Sequence, residues 1–110
     1  MKRKPFKVMT CYAPGGVGLQ FATLTEVLGY FKTIEAEPVF IYYNNKDRSW
    51  YVIDPLVGLA AAKGRTMKLA EDDFTYSWKL EIYRKIKDTK QYQTALTKYN
   101  ELLKESEVLK

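Results

Sequence analysis

Apolar and polar positions alternate over residues 5–12, PFKVMTCY, with Phe6 and Val8 on one side and Lys7, Met9 and Cys11 on the other. That is the period-two pattern of a strand. Ala13-Pro14-Gly15-Gly16 reads as a turn, and residues 17–22 as a short return strand completing a hairpin. Thr23-Leu24-Thr25-Glu26 has the T-x-x-E spacing of a capping box, in which the threonine hydroxyl accepts from the third amide and the glutamate reaches back. Leu24, Val27, Leu28 and Phe31 then fall three or four apart, which predicts a short helix ending before Pro38.

Residues 38–43, PVFIYY, are β-branched and aromatic and predict a buried strand. Asn44-Asn45-Lys46-Asp47 is a hairpin-type turn, and residues 48–54, RSWYVID, are the partner strand. After Asp54-Pro55, residues 56–62 suit a third strand, which Gly64 breaks, and Thr66 is placed to cap a helix starting at Met67.

Residues 74–82, FTYSWKLEI, carry two patterns at once. Phe74, Tyr76, Trp78, Leu80 and Ile82 alternate with polar residues, as on a strand. Met67, Ala70, Phe74, Trp78 and Ile82 also form one helical stripe. No Gly or Pro interrupts the chain after Thr66, and good helix formers dominate, so a long helix is the preferred reading. A last helix runs from a cap at Asp88 or Thr89 to about Ser106, with Tyr92, Leu96, Tyr99 and Leu103 as its apolar stripe and Ala95 and Leu102 beside it. Such a helix docks on its own domain or offers a dimer surface. The pattern predicts one α+β domain over residues 1–110. It has an antiparallel sheet of three to five strands, helices on one side, and a C-terminal helical pair. The expected core includes Phe6, Val8, Leu28, Phe31, Val39, Ile41, Val52, Phe74, Trp78, Leu96 and Leu103.

Composition narrows the chemistry. The chain has 110 residues and no histidine, which removes Ser-His-Asp and Cys-His catalysis and the commonest metal ligand. Cys11 is the single cysteine, so neither an intrachain disulfide nor a Cys-rich zinc site is possible. Met1-Lys2-Arg3-Lys4-Pro5 has the charge of a signal-peptide start, but no apolar stretch follows it. No apolar run reaches the ~18 residues of a membrane span. The expected location is therefore the cytoplasm.

Three features invite a chemical reading. The APGGVG segment at 13–18 has glycines that let amides approach an anion, but it lacks the Walker Lys-Ser/Thr, and a turn explains it. Cys11 lacks a histidine base and reads as a core residue. Glu71-Asp72-Asp73 and Asp54 supply carboxylates, but neighbours on a helix point about 100° apart, so the triplet reads as a solvated face. The expectation is no catalytic group, no metal and no cofactor.

Eighteen Lys and Arg against thirteen Asp and Glu give a formal charge of +5, and nine of the sixteen aromatics are tyrosine. This surplus suits an acidic partner, and tyrosine suits wet interfaces. Residues 24–86 read as helix, three strands, helix, an order that resembles the double-stranded RNA-binding domain. In that family the second helix opens with K-K-x-A-K, whose amines contact phosphates. In Gly64-Arg65-Thr66-Met67-Lys68-Leu69-Ala70-Glu71, Arg65, Lys68 and Ala70 fit, whereas Met67 and Glu71 stand where lysines are expected. The resemblance implies direct RNA contact. A second route is stacking of unpaired bases on Tyr42, Tyr51 and Trp50 across an open sheet face, with basic side chains on the backbone.

The candidate contacts are Lys46, Arg48, Lys63, Arg65 and Lys68 for charge, with Tyr42 and Trp50 as anchors. The expected function is a small non-enzymatic binding protein acting on a nucleic-acid-handling partner. Mobile-element accessory factors and nuclease inhibitors such as anti-CRISPR proteins are of this type. A direct RNA- or DNA-binding module and a homo-oligomeric structural subunit, such as a homodimer, are the alternatives.

Overall fold

The computed structural model describes residues 2–10, 22–76 and 79–108. The strands are β1 (Lys4–Thr10), β2 (Thr23–Ile34), β3 (Glu37–Asn44), β4 (Ser49–Asp54) and β5 (Leu59–Gly64). The helices are α1 (Met67–Tyr76), α2 (Lys79–Ile86) and α3 (Lys90–Val108). Each strand is antiparallel to its predecessor, so spatial order follows chain order, β1-β2-β3-β4-β5. The fold is α+β, a five-stranded antiparallel sheet packed by helices.

The expected helix after Thr23 is instead β2. Its twelve residues pair with β1 over Thr23–Gly29 and with β3 over Gly29–Ile34. Threonines, valine, isoleucine and aromatics suit a pleated surface. Two ladders of backbone hydrogen bonds outweigh a capping box worth about 1 kcal/mol. Glu26 caps nothing and lies opposite Lys7 in the β1–β2 ladder. Among the described residues five strands therefore precede α1, and the element order likened to the double-stranded RNA-binding domain does not hold. Leu28 and Phe31, expected in the core, are 53% and 46% exposed, on opposite faces of the strand. The third strand of the expected hairpin series starts later than predicted, at Leu59, because residues 55–58 form the turn. The predicted turn at 13–16, residues 17–21 of the expected return strand, Cys11 and Trp78 lie outside the described residues.

The C-terminal half follows its pattern. The Thr66 hydroxyl accepts from the Leu69 amide at 3.1 Å and caps α1. Helix stands on both sides of residues 77–78, as the helical reading of that stretch expected, but as two helices, α1 and α2, rather than the one long helix. The Thr89 hydroxyl accepts from the Tyr92 amide at 3.2 Å and caps α3. The helices do not form a clear C-terminal pair. α2 lies against α1 and β5, and Arg84 and Lys87 tie it to the β2–β3 turn through Glu37 at 3.1 and 3.3 Å. Burial pushes the Glu37 carboxyl's pKa up, but hydrogen bonds from Arg84 and Lys87 outweigh this and hold it below the usual value.

Helices cover one face of the sheet. Val39, Ile41, Val52 and Ala62 pack under Ala70, Phe74 and Tyr83. Met9, Ala22 and Val57 pack under Tyr92, Ala95 and Tyr99 of α3, so the stripe of the last helix is used up by its own domain. On the opposite face Val8, Phe40, Tyr42 and Ile53 form a separate cluster. The sheet curls without closing, and the Met9 amide donates to the Gly58 carbonyl at 2.8 Å, joining β1 to the β4–β5 turn. Gly58 has φ +67°, a conformation that costs glycine little. Gly29 is required for a different reason. A Cβ there would stand 2.8 Å from Phe40 Cζ, so its absence lets the Phe40 ring lie over β2 and stack on Phe6 at 4.8 Å.

Candidate cationic surface at the β3–β4 hairpin

Register assembles the candidate site. The β3–β4 hairpin joins Asn44 to Ser49, and its turn carries Lys46 and Arg48. The Asn44 side-chain oxygen accepts from the amides of Lys46 at 2.9 Å and Asp47 at 3.3 Å, which fixes the turn. Trp50 pairs with Gly64, so the end of β5 reaches the same edge of the sheet and brings Lys63 and Arg65 beside the hairpin. Lys68 follows on the first turn of α1. Four cations separated by up to 19 positions in sequence thus gather at one end, and Lys68 extends the group.

The two expected anchors do not share a face. Tyr42 pairs with Tyr51 and Tyr43 with Trp50, and neighbours on a strand point oppositely. Tyr42 is buried on the helix-free face, stacked on Tyr51 at 5.7 Å and near Phe40 at 6.3 Å. Burial pushes its hydroxyl pKa up, and a hydrogen bond with Asn44 partly offsets this. Trp50 lies on the helix-bearing face, half-buried against the main core, with Tyr43 edge-on at 5.5 Å. The open aromatic face expected of Tyr42, Tyr51 and Trp50 together is therefore divided in two. Lys63 is opposite Tyr51 in register and accompanies the Tyr42 side.

The exposed ring is one that sequence reasoning passed over. Tyr43 is 40% exposed, with Leu28 beside it on the same face. The signal was available in the alternation of β3, since burial of Ile41 implies that Tyr43 shares its face. Sequence alone did not reveal that the helices stop short of Tyr43.

Among the described residues, several cations of β2 and the α2 region are ion-paired, whereas those at the hairpin end, like Lys4, Lys7, Lys90, Lys98 and Lys104, are not. Lys32 pairs with Glu71, Arg84 and Lys87 with Glu37, and Lys85 with Glu81. Among the described residues, Lys46, Arg48, Lys63 and Arg65 form no ion pair. Lys68 meets Asp72 at 3.9 Å in an exposed contact worth a few tenths of a kcal/mol. Asp47 stands exposed between Lys46 and Arg48 in the turn and Asp73 lies at Lys63, so the four cations leave a net positive charge here that these two carboxylates reduce.

No family model, curated protein or solved structure matches this chain.

The carboxylates have local partners. Glu71 binds Lys32, and Asp73 accepts the Lys63 amide at 3.1 Å, which covers a backbone group on the edge strand. Asp54 is buried and accepts from the Leu56 amide at 3.0 Å and the Tyr92 hydroxyl at 2.7 Å. Among the described residues no three His, Cys, Asp or Glu side chains converge as metal ligands, and no helix is long and apolar enough to cross a membrane. What the hairpin end can do is attract an anionic surface and offer it an aromatic edge.

Proposed function

We propose that this protein is a non-enzymatic binding protein of a nucleic-acid-handling system, working in the cytoplasm. It meets its partner with the hairpin end of the sheet. The carrying observation is the gathering of Lys46, Arg48, Lys63 and Arg65 at the hairpin end, none in an ion pair among the described residues, with half-exposed Tyr43 on the helix-bearing face of that end. A net positive charge at one edge favours an acidic partner and speeds encounter with it. The absence of histidine and the local pairing of the carboxylates support a role in occlusion or adaptation rather than turnover. Accessory factors of mobile elements and inhibitors of nucleases, CRISPR effectors among them, are the class of protein meant.

The second reading is direct contact with nucleic acid, favoured by the adjacency of free cations and the Tyr43 ring, the pair of features that holds a single strand. A homo-oligomeric subunit loses its main support, because the α3 stripe packs on this chain's own core.

Polarisation binding to labelled single-stranded and duplex DNA and RNA, at low and high salt, separates the readings. Salt-sensitive sub-micromolar binding would establish direct contact and displace the first reading. Absence of binding, together with capture of a nucleic-acid-handling protein that is lost in the Lys46→Gln, Arg48→Gln, Lys63→Gln, Arg65→Gln variant, is the result expected. Capture undiminished in that variant would overturn the assignment of this surface.

A further inference from the structure

We propose that the cavity between β5, α2 and α3 is a binding site for a small primary amine carried on an apolar body. The cavity measures about 250 Å³ and is lined by Val57, Leu59, Ala60, Ile82 and Ile86, with Asp54, Tyr83 and Tyr92. That is below the ~300–1,000 Å³ of pockets for drug-sized ligands, so its occupant is fragment-sized. Exposure gives it a direction. Ile82 and Ile86 are 57% and 39% exposed and form the rim, whereas Asp54, Tyr83 and Tyr92 are 3%, 6% and 8% exposed and form the inner end.

The apolar wall selects for a hydrocarbon body, and the inner end selects for charge. The Leu56 amide donates to Asp54 Oδ1 at 3.0 Å and the Tyr92 hydroxyl donates to Oδ2 at 2.7 Å, with Tyr83 lining the same end of the cavity. Both donors are neutral. Among the described residues no lysine or arginine makes an ion pair with Asp54. Lys87 lies 4.4 Å from the centre of the Tyr83 ring, and it is paired with Glu37. A buried carboxylate without a counter-cation is unusual, because buried charges are generally paired. A carboxylate offers about four lone-pair positions, so acceptor capacity remains after these donors. An ammonium group entering past Ile82 and Ile86 would supply the missing positive charge while its stem covers the apolar wall. A neutral ligand would gain only the apolar part, and an anion would be repelled.

Benzylamine tests this, with benzyl alcohol as the neutral control and benzoate as the anion. Amide and side-chain chemical shifts of the full chain are followed during titration. Benzylamine is expected to give saturable shifts at residues 56–61 and 82–86 and at the Tyr83 and Tyr92 rings, with affinity about tenfold or more above benzyl alcohol, as loss of a buried charge contact implies. Benzoate is expected to leave these signals unmoved. Asp54→Asn should bring the amine down to the level of the alcohol. Because that variant removes a structural acceptor, Ala61→Leu, on the cavity side of β5, is the companion, expected to weaken benzylamine with the shifts of the rest of the chain retained. No saturable shift, equal affinity for amine and alcohol, or shifts located elsewhere would each overturn the proposal.

Discussion

The Tyr92 hydroxyl reaches across 38 residues of sequence to donate to the buried carboxylate of Asp54 at 2.7 Å, and so fastens the last helix to the end of β4. The same carboxylate holds the β4–β5 turn through the Leu56 amide. One side chain therefore secures a turn and a helix. A hydrogen bond to a charged group contributes about 1.5–3 kcal/mol, and Tyr92→Phe should lower the unfolding free energy by that amount in urea titrations. The ring remains to fill its place among Met9, Val57 and Ala95, so packing loss adds little. A loss below about 0.5 kcal/mol would mean that the bond does not anchor the helix.

The tyrosines predict an alkaline limit to stability. Burial, reinforced by the Asp54 charge and its hydrogen bond, pushes Tyr83 and Tyr92 far above the ordinary phenol value, and burial also raises Tyr99 and Tyr42. A raised folded-state pKa means that the native protein keeps protons which the unfolded chain releases. The associated stability is complete below the unfolded pKa of about 10 and is lost as pH climbs from there toward the folded values. Denaturation midpoints should be flat between pH 8 and 9.5, on this account, and fall steeply above ~10. Tyr83→Phe and Tyr92→Phe should each make the fall shallower. An unchanged slope in both variants would remove these two groups as its cause.

Much of this architecture is readable from periodicity, and the one large miss has a local cause. The β2–β3 hairpin turns on Glu35 and Ala36, both at positive φ, 51° and 67°. Two-residue turns of this kind are normally signalled by Asn-Gly or Asp-Gly. Without glycine or asparagine, residues 34–37 looked like the end of a helix, and T-x-x-E supplied a false start. The capped helices were legible because Thr66 and Thr89 do cap them. At the candidate site, the sequence identified the cations but not their setting. Their gathering depends on the Trp50–Gly64 register, which no local pattern reveals, and only the β3–β4 register, pairing Tyr43 and not Tyr42 with Trp50, separates the two rings.

Gly29 makes a sharper test of the helix-free face than any of its large side chains. A Cβ there would meet the Ile41 carbonyl oxygen and stand 2.8 Å from both Phe40 Cζ and Tyr42 Cβ. Phe40 is fully buried among Phe6, Phe31 and Tyr42, so its ring has no free space to enter. Gly29→Ala should therefore destabilise by about 1–3 kcal/mol or more, as overpacking does. It should also change the near-ultraviolet circular dichroism of the stacked rings. A neutral or stabilising result would mean that β2 can shift away from β3 without cost, contrary to the tight pairing of Gly29 with Tyr42.

The four unpaired cations carry the opposite expectation. Lys46, Arg48, Lys63 and Arg65 are exposed and hold no ion pair among the described residues. Changing all four to glutamine should leave stability within about 0.5 kcal/mol per site, because surface substitutions away from packing and capping contacts have small effects. Relief of mutual repulsion is the only systematic term, and it favours the variant. Association with an anionic partner should suffer instead, chiefly in the association rate and in its dependence on salt. If the partner is nucleic acid, each lost phosphate contact should lower the slope of log K against log salt by about 0.7–0.9. Unfolding measurements and binding at two salt concentrations, made on the same variant, separate the two expectations. A variant that unfolds more easily and binds unchanged would make these side chains structural. A variant of native stability that has lost its salt-sensitive binding would place recognition at the hairpin end of the sheet.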